Sequence, residues 1–148
     1  MTTTIRDATP DDLDEILDMI RGLAEYERMT DAVTFERAAM REHLFGDDPA
    51  ASVAIAEVDG TIAGMALWFR TFSTFLGRPG IWLEDLFVRP QHRGHGVGVA
   101  LLRHLRGLTD GRLEWSVLDW NQPAIDFYER LGARPDDGGW IMYRWADA

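Results

Sequence analysis

The segment Arg93-Gly94-His95-Gly96-Val97-Gly98 sets three glycines in alternation immediately before an apolar helical pattern. That combination suits an oxyanion. Glycine accepts backbone conformations that let the chain approach a ligand closely. The first amides of a helix lack partners within it and lie at the positive end of its dipole. Two phosphate loops are excluded. The triphosphate loop G-x-x-x-x-G-K needs a Lys, and the chain has none. The dinucleotide fingerprint G-x-G-x-x-G fails at its third glycine, where Val99 or Leu101 stands, and its flanking βαβ halves are missing.

What does fit is R-x-x-G-x-G, at Arg93, Gly96 and Gly98. It resembles the acetyl-CoA pyrophosphate loop of the GCN5-related N-acetyltransferases (GNAT). A second segment, Asn121-Gln122-Pro123-Ala124-Ile125-Asp126-Phe127-Tyr128 through Gly132-Ala133, is similar to that family's other cofactor element, N-x-x-A-x-x-F-Y-x-x-x-G-A/F. Within the family the chain resembles the diamine acetyltransferases of the spermidine/spermine and thialysine type. Four stretches carry this: Leu23–Glu27, Trp82–Val88, Arg93–Gly98 and Trp120–Tyr128. The second hairpin, turning at Asp59-Gly60, is shorter than in the animal members, and the basic residues are all Arg.

The resemblance implies acetyl transfer from a thioester to a primary amine by direct attack in a ternary complex. An alkyl ammonium has a pKa of about 10.4, so a group must take its proton. Glu84 matches the Glu assigned that task, directly or through water. Strand alternation sets Glu84 and Leu86 on one face and Asp85 on the other. Tyr128 matches the Tyr placed near the thioester sulfur; a phenol with an ordinary pKa near 10 stays protonated and can donate. Leu86, Phe87 and Val88 are expected to offer backbone groups to the pantetheine arm. The amides of Arg93, Gly94, His95, Gly96, Val97, Gly98 and Val99 are expected to hold the pyrophosphate, with Asn121 and Ala124 also on the cofactor. The Arg93 side chain is open to either phosphate or solvent. Tyr26 and Glu27 are expected to line the acceptor site, Tyr for an alkyl chain and Glu for an ammonium, with Asp85 available to a second ammonium. The competing readings are another amine acceptor (thialysine, an aminoglycoside, a peptide N-terminus) and a non-catalytic acyl-CoA sensor, which intact Glu84 and Tyr128 disfavour.

These residues need elements to hold them. Thr9-Pro10-Asp11-Asp12 reads as a helix start, and Leu13, Ile16, Leu17, Ile20, Leu23 and Ala24 recur at helical spacing. Thr34 reads as the cap of a second helix, broken at Gly46–Pro49. Ser52–Val58 and Thr61–Phe72 form a hairpin about Asp59-Gly60. Ser73–Gly80 reads as a loop and Ile81–Val88 as a strand. Val97–Leu108 reads as a helix, Arg112–Leu118 as a strand, Gln122–Leu131 as a helix stopped by Gly132, and Trp140–Trp145 as a last strand. The expected fold is α/β: one domain over 1–148 with a GNAT-type mixed, mostly antiparallel sheet, splayed at the cofactor-binding strand and flanked by about four helices.

Composition narrows the partners. The chain has 148 residues, 25 acidic and 15 basic side chains, a net charge of −10, and no Cys. Absent Cys removes thiol nucleophiles and thiolate metal sites; absent Lys removes Schiff-base chemistry. The charge opposes nucleic acid, which needs a basic face, and favours a cationic ligand. Residues 1–50 hold 13 acids against 5 Arg. His92 and His95 lack the further ligands a metal site needs, so no metal is expected. No G-x-S-x-G elbow is present. The six Trp read as core or subunit packing. With no signal-like start and no apolar run of membrane length, the expectation is a cytoplasmic protein, and by resemblance a homodimer.

Overall fold

The computed structural model describes residues 2–146, which form two compact units, 2–116 and 117–146. In the first, five strands lie in the order β1 (Thr3–Asp7), β2 (Ser52–Val58), β3 (Thr61–Ser73), β4 (Arg78–Val88) and β5 (Leu113–Glu114). All neighbours are antiparallel except β4 and β5, which are parallel. With helices α1 (Leu13–Tyr26), α2 (Arg37–Phe45) and α3 (Val97–Arg106) here and α4 (Gln122–Arg130) in the second unit, this is the expected mixed, mostly antiparallel α/β architecture. Among the described residues, no helix is long and apolar enough to cross a membrane.

The sheet is covered on both faces. Val53 and Ile55 of β2, Met65 and Leu67 of β3 and Phe87 of β4 pack with Leu13, Ile16, Leu17 and Met19 of α1 and Leu44 of α2. The alternate residues Ala54, Ala56, Gly64 and Ala66 are small, and α3 packs across this part of the sheet with Val97, Leu101 and Leu105 buried. Asp59 and Gly60 both take positive φ, 50° and 82°, as a two-residue hairpin turn demands.

Several boundaries differ from the sequence reading. A single 3-10 turn, Pro10–Asp12, follows Thr9 and leads into α1. Glu36, not Thr34, precedes α2: the chain stays extended through Glu36, and Phe35 packs against the core instead of entering the helix. The expected loop 73–80 closes to a turn. Pro79 pairs with Phe72 in the ladder, and its carbonyl accepts from Thr109 Oγ1 at 2.9 Å. The strand expected over 112–118 shrinks to the two residues opposite Ile81 and Trp82. No strand forms at 140–145. Trp140, Ile141, Met142, Tyr143 and Trp145 are exposed there, so the apolar alternation records a strand-like face without a ladder.

The start of α1 is fastened by a bidentate ion pair. Arg6 on β1 donates to buried Asp12 through both terminal nitrogens, at 2.7 and 2.9 Å, and the Thr9 amide donates to Asp12 Oδ2 at 2.8 Å. Arg6, first among the causes, holds the Asp12 carboxyl below its ordinary range. A lowered carboxylate pKa stabilises the fold above the unfolded value, near pH 4, and that contribution is lost as pH falls through the folded value. Asp12→Ala should therefore reduce unfolding free energy by about 2 kcal/mol at pH 7. Urea melts should show that difference shrinking as pH falls below the ordinary carboxylate pKa of about 4 and the folded carboxylate takes up its proton.

Candidate active site

Strand β4 carries the site, and its register is interrupted where the chemistry is expected. Leu67 of β3 lies opposite Asp85 and Trp68 lies opposite Leu83, so Glu84 is the extra residue of a β-bulge. Upstream, Leu83 shares the face of Trp68. Downstream, Asp85 and Phe87 share the face of Leu67 and Met65, beneath α1. The expectation that alternation separates Glu84 from Asp85 therefore does not hold. The Glu84 carboxylate accepts from Trp82 Nε1 at 3.2 Å, and Trp82 lies opposite Phe69, on the α1 face.

Three carboxylates meet there. Asp85 is mostly removed from water, and its carboxyl is pushed up to about 6, first by burial, then by repulsion from Glu84 and from Glu27. Burial also pushes Glu27 up. Glu27 follows directly on α1, whose position depends on a close approach. A Cβ on Gly22 would stand 2.9 Å from Phe87 Cζ, so the helix lies nearly in contact with the β4 ring. A buried carboxyl that two neighbouring acids push up is a place that a cation would relieve.

The end of β4 has a free edge. Its pairing with β5 ends at Trp82 opposite Glu114, so Leu83–Val88 has no ladder partner on that side among the described residues. The Phe87 side chain is committed to the core, while the backbone of 86–88 faces this opening. A 3-10 turn, Pro90–His92, then leads into the glycine loop. Gly94 and Gly96 take φ of 82° and 81°, and a Cβ at either would meet nothing within 4 Å. Within α3 the first bond is Ala100 N–H to the Gly96 carbonyl at 3.0 Å. The amides of Val97, Gly98 and Val99 thus have no acceptor inside the helix. The Arg93 amide differs: it donates to the Pro90 carbonyl at 3.3 Å, so the open run of amides begins at Gly94. This cradle fits a diphosphate.

In the second unit, Asn121 is buried and caps α4, its Oδ1 accepting from the Ala124 amide at 3.4 Å. Tyr128 lies on α4 with its ring tilted against Phe127 at 5.5 Å between centroids. Sequence reasoning did not find the stacking of Arg93 against Tyr26 and Phe87, nor Trp82 as the partner of Glu84. The former needs the fold. The latter is an i, i+2 pair on a strand and was within reach.

The model of the GNAT acetyltransferase family matches residues 14–133. A thialysine N-epsilon-acetyltransferase of Sus scrofa is 36% identical over 156 aligned positions, which cover 95% of this chain and 90% of that protein. A human spermidine/spermine N(1)-acetyltransferase-like protein is 31% identical over 95% of this chain and 22% of its own length. An integron cassette protein of V. cholerae has the same fold, with a TM-score of 0.80 and 23% identity over 99% of this chain and 94% of that one.

The carboxylate cluster has a measurable cost. A carboxyl whose folded pKa is raised stabilises the fold fully below its unfolded value and loses that contribution as pH rises through about 6. Asp85→Asn should raise unfolding free energy at pH 7.5 by up to about 3 kcal/mol. Chemical denaturation at about pH 2.5, where both states hold the proton, should find the variant and the parent equal.

Proposed function

As the chain belongs to the GNAT family of acetyltransferases and is an N-acetyltransferase, we propose that it moves an acetyl group to a primary amine of a small polyamine or diamine-like acceptor. The observation that carries this reading is the largely buried Asp85, whose carboxyl is pushed up by burial and by Glu84 and Glu27, a repulsion that an ammonium relieves. Relatives named for thialysine and for spermidine/spermine support a small amine acceptor. The chain acts as one acetyltransferase domain over residues 1–148, in the cytoplasm and as a homodimer.

The amides from Gly94 to Val99 hold the diphosphate of coenzyme A, and the backbone edge at Leu86–Val88, which β5 leaves open, holds its pantetheine arm beside the Val88 carbonyl that Arg93 occupies. Asn121 and Ala124 are also assigned to cofactor binding, on the strength of the motif they share with the family. Acetyl-CoA supplies the acetyl group as a thioester, whose carbon–sulfur bond breaks as the carbon–nitrogen bond forms. Glu84 takes the proton from the amine, directly or through one water, and its bond from Trp82 fixes where the carboxylate sits. Tyr128 donates the proton that the departing sulfur needs. Asp85 and Glu27 bind the acceptor's other positive charge, and the Tyr26 ring lies along its alkyl chain. Holding both reactants in one site supplies much of the acceleration, since effective molarities reach about 10⁵ M or more.

A thiol-release assay across amines tests this. Spermidine or a diamine should be acetylated in preference to an aminoglycoside or a peptide N-terminus. Tyr128→Phe should lower kcat about 100-fold while coenzyme A binding stays within twofold. Coenzyme A binding without turnover of any amine would make the chain a sensor, and an undiminished kcat would remove Tyr128 from the mechanism.

A further inference from the structure

The arginine of R-x-x-G-x-G is committed elsewhere than to an anion. Its Nε donates to the carbonyl of Val88, the last residue of β4, at 2.8 Å. Its guanidinium carbon stands 5.5 Å from the ring centroid of Tyr26 and 5.5 Å from that of Phe87. Three elements meet at this one side chain: the end of α1, the end of β4 and the loop that opens α3. The stack forms one wall of a cleft of about 740 Å³, which Glu15, Asp18 and Glu25 of α1 also line.

We propose that Arg93 is a positioning residue for the amine acceptor, holding the Tyr26 ring in place and coupling the acceptor wall to the cofactor loop. This rests on the acceptor role given above to Tyr26. Tyr26 is 42% exposed, and its ring has the Arg93 guanidinium against it. A guanidinium over its face attracts the ring quadrupole and restricts it. The same planar group bridges two rings while its Nε is tied to the backbone. Lys has one compact charge and no donor at that position, so it cannot reproduce the arrangement. An Arg spent on two rings and a carbonyl leaves the diphosphate to the loop amides. Acceptor binding and cofactor binding therefore respond differently to changes at residue 93.

The test is calorimetric titration of the full chain with spermidine and, separately, with coenzyme A, for the parent and for Arg93→Lys, Tyr26→Leu and the double variant. Arg93→Lys should raise the spermidine Kd about five- to tenfold and leave the coenzyme A Kd within twofold, at an unchanged melting temperature. Tyr26→Leu should weaken spermidine similarly. With the ring gone, Arg93→Lys should add little more, so the two effects should fall well short of additive. A coenzyme A Kd raised tenfold with spermidine unaffected would make Arg93 a phosphate ligand and overturn the proposal, as would full additivity. A parent chain that binds spermidine with this dependence on residue 93 but acetylates no amine would leave the positioning role standing and overturn the catalytic reading. A parent that binds no spermidine overturns both.

Discussion

One inserted residue in β4 organises the site. Before Glu84 the strand has β3 on one edge and, at Ile81 and Trp82, β5 on the other; after it, β3 is the one ladder partner among the described residues. The bulge reverses which side chains face α1, so Asp85 and Phe87 turn beneath the helix while Ile81 and Leu83 serve the other face. An unbroken strand would send Asp85 to the α3 face, away from Glu27. A bulge disrupts its ladder locally, and the Trp82–Glu84 hydrogen bond holds the extra residue's side chain in one place. Backbone left open on the β4 edge and acid gathered on the α1 face thus stem from the same few residues.

That arrangement works only if α1 is held against the strand. Gly22 allows the approach, since a Cβ there would collide with the Phe87 ring. Arg6 and Asp12 secure the first turn. Arg89 pairs with Glu15 and Asp18, and Arg93 stacks on Tyr26, so two arginines from the segment after β4 grip α1 at both ends. In a protein without Lys, each of these contacts uses a guanidinium's several donors or its flat face. The segment that leads into the glycine loop is therefore tied to α1 at both ends of the helix.

Much of this was legible in the chain, because much of it is local. Helical spacing marked α1 and α3, Asp59-Gly60 marked its hairpin, and Gly94 and Gly96 stand where the backbone turns left-handed. What stayed hidden depends on partners distant in sequence. A bulge is a mismatch between two strands, and nothing within Trp82–Val88 announces that Leu67 and Trp68 skip a residue opposite it. The short β5 and the unpaired segment 140–145 are hidden for the same reason: alternation reports a face, while a strand also requires an edge to pair with. The stacking of Arg93 on Tyr26 was invisible because the two are 67 positions apart along the chain.

The acidic surplus of the first 50 residues looks at first like the source of selectivity for a cationic acceptor, and the structure divides it. Asp12, Asp14, Glu15 and Asp18 are paired with arginines. Glu27 converges with Glu84 and Asp85. The remaining surplus can set only a long-range field, and exposed charges are largely screened beyond about 8 Å at physiological ionic strength. Such a field speeds encounter with any cation and does not tell one amine from another. Discrimination has to come from charges held out of water at fixed positions, where attraction is screened least and an unmatched ammonium spacing leaves a carboxylate uncompensated. Asp85, mostly removed from water, and Glu27, half-buried, are the acids whose attraction is screened least, while the exposed acids contribute to the long-range field.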